Sequence, residues 1–124
     1  GQKADAKKSA KPEDEMGTIE GQTIARSNGK FLGLTLRDGM FVLSFYDEKK
    51  KPAKADVTRA TARWNDPHAP GYKRAVFTPE ANGLKLAATT FVRPPYAFKV
   101  WITLLKGEGD AAQAVESYTI DFSG

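Results

Sequence analysis

The stretch Phe31-Leu32-Gly33-Leu34-Thr35-Leu36-Arg37-Asp38-Gly39-Met40-Phe41-Val42-Leu43-Ser44-Phe45-Tyr46 decides the fold. Large apolar residues alternate with other types on both sides of Asp38-Gly39, which is the period of a half-buried strand. Asp-Gly favours the type I′ turn of a two-residue hairpin, because both central positions need a positive φ. That turn fixes the register. It sets Leu36 opposite Phe41, Leu34 opposite Leu43 and Leu32 opposite Phe45, six large apolar side chains on one face. The other face pairs Arg37 with Met40, Thr35 with Val42, Gly33 with Ser44 and Phe31 with Tyr46. One turn thus sorts both strands consistently, and a slip of one residue would expose the whole apolar set.

The same alternation continues outward from the hairpin. In 56–64, Ala60, Ala62 and Trp64 face in while Arg59, Thr61 and Arg63 face out. In 98–105, Phe98, Val100, Ile102 and Leu104 face in, and in the last strand Tyr118, Ile120 and Phe122 do. A second hairpin, 74–79 with 84–91, turns over Glu80-Ala81-Asn82-Gly83 and sets Glu80 opposite Lys85. With 18–26 as the first strand, the pattern predicts seven or eight antiparallel strands. No window carries a capped 3.6-residue apolar repeat; the nearest is the short 109–116. The spacing predicts an all-β, Ig-like or fibronectin-like sandwich over 17–124, with a small barrel as the alternative.

Residues 1–16 read as a disordered tail or linker, because 3–15 holds no large apolar residue that burial could use to offset ordering entropy. The chain begins at Gly1 rather than Met, as expected of a processed or tagged chain.

Composition excludes several classes. The 124 residues, 40% hydrophobic, suffice for one core. The absence of cysteine excludes disulfides and thiolate-bound zinc or iron–sulfur centres. No run reaches the roughly 18 to 20 apolar residues of a membrane helix, so no such span is expected. The net charge is +4. Lys3, Lys7, Lys8 and Lys11 cancel Asp5, Glu13, Asp14 and Glu15, so the surplus lies in 17–124. That surplus is small beside the concentrated charge of nucleic-acid binders, so nucleic acid is not favoured.

Enzyme signatures are scarce. A single histidine, His68, excludes HExxH, and GxSxG, GxxxxGK[ST] and GxGxxG are absent. Neither a cofactor nor a metal is expected. Asp66, His68 and Tyr72 belong to a Pro- and Gly-rich loop that reads as a turn at the end of the domain or as a polar binding loop. Lys49, Lys50, Lys51 and Lys54 read as a solvated loop that discourages edge pairing, or as a contact for an anion such as an acidic polysaccharide. Tyr96, after Arg93-Pro94-Pro95, either staples its loop or binds. Strand parity sends Trp101 outward with Lys99 and Thr103, and Phe31 and Tyr46 share the outer face of the first hairpin with Gly33. These aromatics form a platform for a partner, or cover the bare glycine together with the N-terminal segment.

The strand running into a charged Lys-Pro linker, Phe45-Tyr46-Asp47-Glu48-Lys49-Lys50-Lys51-Pro52, resembles small Ig-like domains of bacterial exported proteins. More loosely, the layout is similar to periplasmic sandwiches found with heavy-metal efflux and copper resistance; with one His and two Met, no metal ligand carries over. The resemblance implies a monomeric, periplasmic or secreted, non-enzymatic module that binds a protein or carbohydrate. The alternative is a periplasmic accessory protein that handles a small ligand or metal ion.

Overall fold

A computed structural model describes residues 17–66 and 70–123. Among them the chain forms eight strands: β1 (Gln22–Ala25), β2 (Phe31–Arg37), β3 (Met40–Tyr46), β4 (Arg59–Asn65), β5 (Tyr72–Pro79), β6 (Lys85–Phe91), β7 (Ala97–Lys106) and β8 (Gln113–Ser123). All pair antiparallel in one sheet of order β1-β2-β3-β6-β5-β4-β7-β8. No described helix is long and apolar enough to cross a membrane.

The all-β expectation holds, and its architecture is corrected. An Ig-like sandwich needs two sheets packed face to face. Here a single sheet curls until β1 and β8 meet, giving a nearly closed, barrel-like form. Register shifts between Met40 and Val42 and between Leu104 and Leu105 mark bulges, which bend a strand and raise its twist. Curling leaves one inner face, and side chains fill it. Phe41 meets Trp64 and Phe122 edge-on, at centroid distances of 5.3 and 5.2 Å. Leu32, Leu34, Leu43, Phe77, Leu86 and Ile102 pack around them, fully buried.

The first hairpin has the register that its turn dictates, from Phe31 opposite Tyr46 to Arg37 opposite Met40. Asp38 and Gly39 take φ of 55° and 79°, as a type I′ turn requires. In the second hairpin Pro79 pairs with Leu86, and the Glu80 amide donates to the Lys85 carbonyl at 2.9 Å. The charges there are partnered differently from the cross-strand pair expected. Arg37 holds Glu80 at 2.5 Å, and Lys85 lies 3.6 Å from Glu20. The candidate helix 109–116 is a single 3-10 turn, Gly109–Ala111, followed directly by β8. Residues 17–20, of which 18–20 are expected within the first strand, instead form a strap over the outer side of the first hairpin. The Gly17 amide bonds the Lys49 carbonyl, and the Glu20 amide bonds the Tyr46 hydroxyl at 3.1 Å.

The predicted tail 1–16 and His68 lie outside the described residues.

Candidate functional site

The sequence offered Trp101, Tyr46 and Phe31 as one aromatic patch; the fold separates them. β6, β5 and β4 stand between β3 and β7. Tyr46 is buried beneath the strap, its ring beside Gly33. Phe31 is half-buried, with the Lys50 ammonium 5.2 Å from its ring centre. Tyr46 and the strap therefore cover the bare glycine, and the outward aromatic surface lies elsewhere.

That surface is the outer side of β5-β4-β7-β8. Trp101 is half-buried and Tyr72 is 51% exposed. Their rings meet edge to face at 5.5 Å. Arg63, directly opposite Trp101 in the β4/β7 ladder, lays its guanidinium 4.8 Å from the Trp101 ring centre and 4.7 Å from that of Tyr72. A cation over the ring faces is attracted by their quadrupoles, so both rings hold Arg63 in place. Arg63 also faces Arg74 across the β4/β5 ladder. Like charges placed directly opposite are destabilising. The buried Nε of Arg63 has no hydrogen-bond partner among the described residues.

The arginines divide sharply by position. Arg26, Arg37 and Arg93 each hold a carboxylate: Glu116 with Asp56, Glu80, and Asp66 respectively. Arg59, Arg63 and Arg74 hold none among the described residues. All three project from the outer side of β4 and β5. Lys99 joins them on β7, and the face has one carboxylate, Asp121, opposite Lys99. A row of hydroxyls runs beside the arginines. Thr61 lies opposite Thr103 and Thr103 opposite Ser117, with the last two hydroxyl oxygens 3.4 Å apart. Arg63, Arg74, Trp101, Thr103, Ser117 and Thr119 contribute to the walls of an open groove of about 430 Å³.

The other sequence candidates have structural work. Asp66 is buried and bonds Arg93 at 2.5 Å, with the Lys73 ammonium 4.0 Å away. Tyr96 is half-buried and packs on the core, so it staples its loop. The Asp47 carboxylate organises the lysine loop, accepting from the Lys49 and Lys51 amides at 2.8 and 3.0 Å. The amide of Lys51 above all, then that of Lys49, holds the Asp47 carboxyl below its ordinary range. Lys49, Lys51 and Lys54 are exposed and Lys50 is half-buried against Phe31. This loop follows β3 and is not among the residues of the groove. No group of three or more His, Asp or Glu stands ready for a metal among the described residues.

Sequence reasoning placed Arg63 and Trp101 correctly on the outer face. It missed their meeting, because strand order and not strand parity brings β4 beside β7.

No known family, curated protein or solved structure matches the chain.

Proposed function

We propose that this protein is a non-enzymatic binding module that engages its partner on the outer face of β5-β4-β7-β8. The observation that carries this reading is Arg63, held against Trp101 and Tyr72 beside Arg74 with no carboxylate for either cation among the described residues. Two facing arginines cost stability in the free protein, and a stacked, oriented guanidinium has already lost most of the freedom that binding would remove. Both features favour an external ligand over a purely structural role. Core side chains pack the interior among the described residues.

Backbone amide shifts test the reading. The full chain is titrated with soluble neutral and acidic glycans and with acidic peptides. Perturbations should gather at residues 63, 72, 74 and 101. Ligands that perturb only the loop 49–54 would move the binding surface away from this face.

A further inference from the structure

Resting on that reading of the face, we infer that its ligand is an acidic polysaccharide whose carboxylates are taken by Arg63 and Arg74. The charge balance gives the sign. Arg59, Arg63, Arg74 and Lys99 stand against Asp121 alone. Most of the chain's surplus of +4 is therefore concentrated on one side of the barrel. The guanidinium fork matches a carboxylate or phosphate with two parallel hydrogen bonds, a geometry that lysine lacks. The exposed lysine loop offers charge without that geometry.

Three features favour a carboxylated glycan over other anions. First, both aromatic rings already carry the Arg63 guanidinium. Single-stranded nucleic acid is held by bases stacked on aromatic faces, and these rings are committed. Second, the cations are sparse. Arg74 and Arg63 are cross-strand neighbours, about 5 Å apart at the usual strand spacing, and their row continues through the uncharged Trp101 and Thr119. Duplex DNA presents one charge per roughly 1.7 Å of axis. A polymer with one carboxylate per sugar fits the sparser set. Third, the neighbouring row of Thr61, Thr103 and Ser117 supplies hydroxyls that both donate and accept, as sugar hydroxyls do. An acidic peptide adding as a strand is disfavoured at β4, β5 and β7, where the arginines and Trp101 stand, because these strands are paired on both sides.

The test uses the full chain and polygalacturonate, followed by calorimetry and Trp emission, with neutral dextran and an oligothymidylate as comparators. Polygalacturonate should bind, weaken with added salt, and lose about tenfold or more in affinity in Arg63→Gln and in Arg74→Gln, the scale of one charge-assisted contact. Arg74 is exposed, so its replacement leaves the fold intact if Arg63→Gln does not. Lys49→Gln with Lys51→Gln should leave the affinity unchanged. Equal binding of dextran, lost in Trp101→Ala, would overturn the carboxylate and keep the binding face. Tighter binding of the oligothymidylate would overturn the glycan in favour of nucleic acid. Failure of polygalacturonate to bind would also overturn the inference.

Discussion

Arg26 grips Glu116 with two hydrogen bonds, Nε to Oε1 at 3.0 Å and Nη2 to Oε2 at 2.6 Å, across the gap between the first and last strands. No backbone ladder joins β1 to β8 among the described residues, so side chains close the barrel. Asp56 accepts a further bond from Arg26 at 3.0 Å, the Tyr118 hydroxyl donates to Glu116, and the Ser27 amide donates to Tyr118. The Arg26 side chain is 2% exposed. A charge so buried is tolerable only while its partners stay in place.

Glu116→Ala should therefore destabilise the protein by about 3 kcal/mol, since it strands the Arg26 charge with Asp56 alone. The double variant Arg26→Met, Glu116→Leu should cost less than Glu116→Ala, because it removes both charges and keeps apolar volume. Urea unfolding of the three variants measures the order.

The same pair predicts an acid limb. The hydrogen bond from Arg26 above all, then that from Tyr118, holds the Glu116 carboxyl below its ordinary range. In the unfolded chain a glutamate titrates near about 4.3. As pH falls below that value, the unfolded chain takes up the proton first and is stabilised relative to the folded one. The contribution is thus fully present above about pH 4.3 and is lost as pH drops through the lower folded value. The melting temperature should fall steeply below about pH 4.3, and Glu116→Gln should flatten part of that fall. Glu80, lowered by Arg37, and Asp47 account for some of the remainder. Calorimetry from pH 7 downward reads the difference.

The strap rests on Gly33. A Cβ there would collide with the Glu20 carbonyl oxygen and lie 2.8 Å from a methyl of Ile19. Gly33→Ala must push 17–20 off the sheet or distort β2, at a cost of about 1 to 3 kcal/mol as an overpacked site. Hydrogen exchange should then quicken at the Glu20 amide, which otherwise bonds Tyr46, while Leu34 and Leu43 in the hairpin keep their protection. Unchanged exchange at Glu20 would mean that the strap does not depend on the bare glycine.

What the sequence made legible was local. Asp38-Gly39 carried the full register of its hairpin because turn chemistry and the apolar period agree within sixteen residues. Strand parity likewise placed Trp64 inside and Arg63 and Trp101 outside. Strand order was not legible, because alternation says which face a residue takes and not which strand lies beside it. The sandwich expectation failed for that reason: β3 pairs with β6, and the sheet then runs on through β5 and β4 to β8 without splitting. So did the grouping of Trp101 with Tyr46 and Phe31. The arginines facing each other became visible only through the β4/β5 ladder.

The cationic face should show itself in the quenching of Trp101. Two tryptophans emit, and the fold sets them apart: Trp64 is 1% exposed within the core, whereas Trp101 is half-buried on the outer side. A neutral quencher would separate them by exposure alone. A charged quencher also reports the local field, since counter-ions gather near unpaired charges within a Debye length of about 10 Å at 0.1 M salt. Arg63 touches the Trp101 ring and Arg74 stands directly opposite Arg63. With each quencher scaled to its effect on free tryptophan, iodide should therefore quench the Trp101 component more efficiently than caesium does, and Trp64 should resist both. Arg74→Glu reverses one charge beside the groove at an exposed position, so it should narrow the iodide advantage while the melting temperature stays close to that of the parent. Added salt should narrow it too. Equal quenching of Trp101 by iodide and caesium on that scale at low salt would show that the arginines are neutralised within the chain, and the outer face would lose its claim to an anionic ligand.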